Sequence, residues 1–129
     1  MLMQNADIFA TVPKQDYLSL FHNEMPKYQE VVQFLKFKKK DVSNVTRLPL
    51  DSVRYDEKMP HDLQERIMEW AILLNLVAEH FHGNAEKTAL WFTVSNPLLG
   101  NVSPRNMIRI GRFKKLLKYV LNALAQNKK

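Results

Sequence analysis

The chain has 129 residues, no cysteine and a formal net charge of +6. That length suits one domain, or one domain with a small appended module, and the missing cysteines exclude disulfides and thiolate metal sites and lead us to expect a reducing, cytoplasmic setting. No apolar run reaches the roughly 18 residues that a membrane span requires, and no basic-then-apolar leader opens the chain, so no membrane partner is expected.

The charge is unevenly spread. Up to Glu86 there are ten Lys or Arg against thirteen acids, whereas from Lys87 onward there are nine Lys or Arg and no acid at all. The basic excess belongs to the C-terminal third, which suggests an anionic partner, either nucleic acid or an acidic protein surface.

In chain order, residues 1–26 carry no clear period and read as an N-terminal arm, with a helical turn or two expected over Gln15 to Asn23. Residues 27–59 read as a module of short helices. Tyr28, Val31, Val32 and Leu35 recur at helical spacing behind Pro26; a second helix is expected from Lys39 to Thr46, with Val42 and Val45 inward; Arg47-Leu48-Pro49 makes the turn; and a third helix is expected from Asp51 to Glu57. A helix, then two short helices joined by a turn, is the outline of a helix-turn-helix. On that reading Ser52, Arg54, Tyr55 and Lys58 lie on or near a recognition helix, and Lys38, Lys39 and Lys40 meet phosphates. The turn lacks the customary glycine, and Asp56 and Glu57 oppose a phosphate backbone. A helical packing module without DNA contact therefore stays open.

The strongest helical pattern follows in residues 60–129. Leu63, Ile67, Trp70, Ala71, Leu74, Val77, Ala78 and Phe81 recur at steps of three and four, and Met68, Ile72, Leu73 and Leu76 widen the apolar arc beyond one stripe. A helix apolar on so many sides is central, or shared with a second copy in a homo-oligomer. Gly83 ends it, Asn84 caps the next helix, and that helix runs through Leu90, Trp91 and Phe92. Asn96-Pro97 then starts a turn, Gly100 supplies positive φ, Ser103-Pro104 is an N-cap with proline at the first helical position, and Gly111 stops the short helix so opened. A last helix, Arg112 to Ala125, places Phe113, Leu116, Leu117, Val120, Leu121 and Leu124 on one face. The fold class is all-α.

Catalytic chemistry finds little to build on. In the local cluster Glu79-His80-Phe81-His82 the two histidines stand at i and i+2, pointing apart on a helix, so they cannot chelate one metal. No nucleophile elbow, P-loop or dinucleotide-binding glycine pattern is present. Neither an enzyme nor a cofactor is expected. Trp70, Phe92 and Phe113 phase with Leu and Ala as core; Trp91, beside the loop, is the candidate interface anchor.

The run Ala89-Leu90-Trp91-Phe92, Asn96-Pro97-Leu98-Leu99-Gly100, Ser103-Pro104 and Gly111 resembles the toxin-binding domain of the Xre/MbcA/ParS antitoxin family, over about residues 60–126. The resemblance implies a RES-domain, NAD-consuming toxin as partner, covered or entered by the C-terminal helical domain. Its contacts would come from Trp91, Asn96, Pro97, Leu98, Leu99 and Gly100, with Arg105 and Arg109 pairing with toxin carboxylates or mimicking substrate contacts. The resemblance also implies a DNA-binding module ahead of that domain and promoter DNA as a second partner. Two other readings stay open: a DNA-binding regulator with no toxin partner, and a purely architectural role for Asn96, Pro97, Gly100 and Pro104.

Overall fold

A computed structural model describes residues 15–127. Six α-helices account for most of them: α1 (Tyr28–Phe34), α2 (Lys39–Thr46), α3 (His61–His80), α4 (Ala85–Thr93), α5 (Pro104–Arg109) and α6 (Phe113–Asn127). Two 3₁₀ turns, Leu50–Ser52 and Pro97–Leu99, and a two-residue antiparallel pair, β1 (Phe21–His22) with β2 (Met25–Pro26), complete the order.

The long helix α3 is the axis. It packs against α1, α2, α4, α6 and β2, and the wide apolar arc read from the sequence is what these neighbours cover. Leu63, Ile67, Trp70, Ala71, Leu73, Leu74, Leu76, Val77 and Ala78 are all buried, so no second copy is needed to hide them. One core runs from Leu20 through Val31, Leu35, Val42 and Val53 to Phe92, Ile108, Leu116 and Val120, and residues on both sides of position 60 contribute to it.

Helix ends follow local chemistry. Asn84 Oδ1 accepts from Lys87 N at 2.9 Å to cap α4, and Ser103 Oγ accepts from Asn106 N at 3.2 Å to cap α5 behind Pro104. Helices α1, α3 and α5 close by the same paired bonds, with a left-handed residue just past the cap. In α5 this residue is Gly111, φ 85°, with Gly111 N bonding Ile108 O at 3.0 Å and Arg112 N bonding Met107 O at 2.8 Å. In α1 it is Lys36, φ 58°, with Phe37 N reaching Val32 O at 3.1 Å.

Two expectations are corrected. Gln15 to Asn23 is not helical: Asp16 takes the backbone N–H groups of Leu20 and Phe21 on its two carboxylate oxygens, each at 2.9 Å, and the chain turns into the β1–β2 pair. Buried Asn75 on α3 ties this segment down, donating to Asp16 Oδ1 and accepting from Leu18 N, both at 3.3 Å. The arm expected over residues 1–26 lies partly outside the described residues; from residue 15 onward it is packed chain. The third short helix is also missing. After the 3₁₀ turn Leu50–Ser52 the chain is irregular, with Val53 buried, Arg54 exposed and Tyr55 half-buried. Packing of Val53 into the core, with Tyr55 against it, overrides the capping signal at Asp51 and Ser52. Among the described residues, no helix is long and apolar enough to cross a membrane.

Candidate protein-docking surface

Helix α4 has two apolar faces. Thr88 and Phe92, one turn apart, are buried, with Thr88 Oγ1 donating to Asn84 O at 2.8 Å. Leu90 and Val94, also one turn apart, face outward and are 62% and 51% exposed. Trp91 stands half-buried between the faces, its ring edge-on to Phe92 with centroids 5.0 Å apart. A groove of about 200 Å³ between α3, α4 and α6 is lined by Val77, His80, Phe81, Trp91, Tyr119, Val120, Ala123 and Leu124. A second groove, of about 440 Å³, is lined by Phe81, Lys87, Leu90, Trp91, Val94, Ser95, Asn96 and Pro97. Phe81 and Trp91 belong to both, forming the ridge between them.

The loop after α4 is built to hold its shape. Asn96 Oδ1 accepts from Leu98 N and Asn96 O from Leu99 N, both at 2.9 Å, and Asn101 N returns to Asn96 O at 3.0 Å. Asn96 N donates to Val102 O at 3.2 Å, closing the loop with a single β-bridge. Gly100 (φ 76°) and Asn101 (φ 65°) both take left-handed backbone, which glycine and asparagine tolerate best. Leu99 packs against the core while Leu98 is left 77% exposed. The loop is thus a knob carrying one bare leucine, set beside Leu90, Trp91, Val94 and Pro97.

Of the residues the sequence singled out, Trp91, Pro97 and Leu98 contribute apolar surface here. Asn96 and Gly100 shape the loop, and Leu99 anchors it. Arg105 is engaged inside the chain: its guanidinium donates to Leu35 O (2.5 Å), Lys36 O (2.8 Å) and Asn106 Oδ1 (3.3 Å), and lies 5.1 Å over the Phe37 ring. Arg109 is exposed and held by Asn106 Oδ1 at 3.1 Å. Leu90, Val94, Phe81 and Lys87 were not singled out. The signal for Leu90 and Val94 was available as a second apolar pair at i and i+4, opposite Thr88 and Phe92.

The proposed DNA-reading residues do not share a helix. Arg54 makes a two-pronged pair with Asp56 at 2.8 and 2.5 Å, and this hydrogen bond, ahead of the charge attraction, raises its pKa. The same bond is the largest cause holding the Asp56 carboxyl below the usual range. Lys58 N donates to Asp56 Oδ1 at 3.0 Å; Ser52 is half-buried; and burial raises the pKa of the Tyr55 hydroxyl. Lys38 precedes α2, and Lys39 and Lys40 are exposed in its first turn.

One further cluster is new. His61, Asp62 and Glu65 bring ligand atoms within 4.8 Å of one another, all exposed, with His61 Nδ1 3.2 Å from Glu65 Oε1. It lies at the positive end of α3, where the helix dipole disfavours a cation.

The molecule is therefore an all-α domain presenting an apolar strip on a helix and a braced loop. No protein-family model and no curated protein sequence matches the chain. Among solved structures it is similar to a chain of the M. tuberculosis MbcT–MbcA toxin–antitoxin complex, with a TM-score of 0.50 and 18% identity over 78% of this chain and 91% of that one. At that identity the likeness is one of fold.

Proposed function

We propose that this chain is an antitoxin-like binding protein that neutralises a toxin by seating the strip formed by Leu90, Trp91, Val94, Pro97 and Leu98 against it. The observation that carries this is Leu98, a leucine 77% exposed at the tip of a hydrogen-bonded loop whose Asn96 and Pro97 line an apolar groove with Leu90, Trp91 and Val94. A loop whose backbone is already braced gives up little further backbone entropy on docking, so more of the burial energy of its apolar side chain reaches the complex. Burying one leucine contributes about 1.5–3 kcal/mol.

The fold likeness to a chain of a toxin–antitoxin complex supports the reading, as does the sequence resemblance to the Xre/MbcA/ParS family. On that resemblance the partner is a RES-domain enzyme that consumes NAD, and inhibition is steric: the knob and the Trp91 ridge block access to the cleft. Arg109, exposed at the end of α5, is the cation that the resemblance would set against a partner carboxylate. Arg105 serves the scaffold instead. No catalytic role is assigned to any side chain.

The test is co-expression with the product of the neighbouring gene. The expected result is a co-purifying complex together with restored cellular NAD. A folded neighbour that neither binds this chain nor depletes NAD would overturn the proposal.

A further inference from the structure

The acid-free C-terminal third ends in α6, which carries Lys114 and Lys115 in its first turn and Lys118 in its second, behind Arg112. Cations there oppose the positive end of the helix dipole, so the helix itself does not account for them. Lys114 has an acid nearby: burial raises the pKa of Glu69 on α3, and Lys114 works against that rise. Arg112, Lys115 and Lys118 are exposed, and among the described residues none of the three has a carboxylate within 4.0 Å.

Lys115 stands one turn before Tyr119 on the same stripe of α6, with Lys118 beside it. Tyr119, Ala123 and Leu124 form the α6 wall of the groove of about 200 Å³. The facing wall comes from Val77, His80 and Phe81 at the end of α3, with Glu79 beside it and Glu86 in the first turn of α4. The groove is thus cationic along one margin and acidic along the other. A cavity of about 150 Å³ holds a benzene ring, so this one has room for a single large side chain. Resting on the antitoxin-like reading above, we propose that the groove takes one aromatic or branched aliphatic side chain of the partner, carried on an acidic segment whose carboxylates meet Lys115 and Lys118.

The groove shares Phe81 and Trp91 with the groove beside the Leu98 strip, so one partner can cover both. Nucleic-acid strands stack their bases on free aromatic faces, whereas Trp91 and Tyr119 are half-buried and Trp91 stands edge-on to Phe92. Glu79 and Glu86 would also repel a phosphate chain lying along the groove. A second copy of this chain would set +6 against +6, with no acid after Glu86 to offer to the lysines. An acidic, apolar-tipped protein segment meets none of these objections. The unlike margins also fix its direction, because the reversed segment brings its carboxylates against Glu79 and Glu86.

The experiment is association and dissociation kinetics of the full chain with the co-purified product of the neighbouring gene, from about 50 to about 500 mM salt. The native association rate should fall at least about tenfold across that range. K115E/K118E should associate about tenfold more slowly at low salt, lose most of the salt dependence and dissociate at the native rate. Ala123→Phe, which fills the groove from its α6 wall, should speed dissociation about tenfold. Should Ala123→Phe lower the urea midpoint, the exposed pair Lys115 and Lys118 decides alone. Leu98→Asp separates the proposal from the reading it rests on. A complex broken by Leu98→Asp but indifferent to K115E/K118E overturns the proposal alone, whereas no complex at all overturns both. Displacement of the partner by a single strand of about 25 nucleotides, lost in K115E/K118E, would also overturn it by assigning the margin to nucleic acid.

Discussion

Arg105 sits where the first and last thirds of the chain meet. Its guanidinium takes two carbonyls that the end of α1 leaves without helical partners, and its plane lies on Phe37, whose ring is in turn edge-on to Trp70 with centroids 5.4 Å apart. We expect Arg105→Ala to destabilise the fold by roughly 2–3 kcal/mol in urea unfolding, since two charge-assisted bonds are lost together. Arg105→Lys should recover only part of this, because an ammonium cannot match the planar fork. Glu69 has the opposite character: burial outweighs the nearby Arg66 and Lys114 cations and raises its pKa above the usual 4.5. The folded state then holds the extra proton, so Glu69 adds stability as pH falls from 7 through its folded pKa and adds no more below about 4.5. Paired urea titrations at pH 7 and 5 should show that gain in the native chain and its absence in Glu69→Gln. Asp56 works the other way: its depressed pKa makes its contribution present at neutral pH and lost in strong acid.

At the scale of elements, local chemistry was readable wherever one signal had no rival. Lys39–Thr46 came out with the bounds the pattern gave, and the caps at Asn84 and Ser103 and the stop at Gly111 fell where side-chain and glycine chemistry put them. The failures have a common cause. At Gln15 to Asn23 apolar residues at helical spacing competed with tertiary bonds from Asp16 and Asn75, and at Asp51 to Glu57 a capping signal competed with the burial of Val53 and Tyr55. Lys36 was unreadable for a different reason: lysine is not the residue expected at a left-handed helix stop. We expect Lys36→Gly to raise stability by roughly 0.5–1 kcal/mol, measured by the shift in the urea midpoint. A loss of stability would mean that the Lys36 side chain contributes more to the fold than its backbone geometry costs.

For the molecule as a whole, α3 and its shell form a scaffold that leaves the apolar strip of α4 and its loop uncovered. The apolar strip was half legible: Trp91, Pro97 and Leu98 were found through the loop, whereas Leu90 and Val94 were given no surface role because a short helix normally buries its one apolar face. The roles of Leu99 and Arg105 were not legible, since only packing reveals that one anchors the loop and the other joins α1 to α5. The central claim is that the bare leucine at the loop tip drives partner binding. The most direct measurement is the affinity of the co-purified partner for Leu98→Asp, set against Leu50→Asp as a control, since Leu50 is 49% exposed and lies outside the strip. Losing a buried leucine and placing a carboxylate in its pocket should weaken binding by at least about 100-fold in Leu98→Asp, with an unchanged urea midpoint and with Leu50→Asp binding as the native chain does. Native affinity in Leu98→Asp, or equal losses in both variants, would contradict the account.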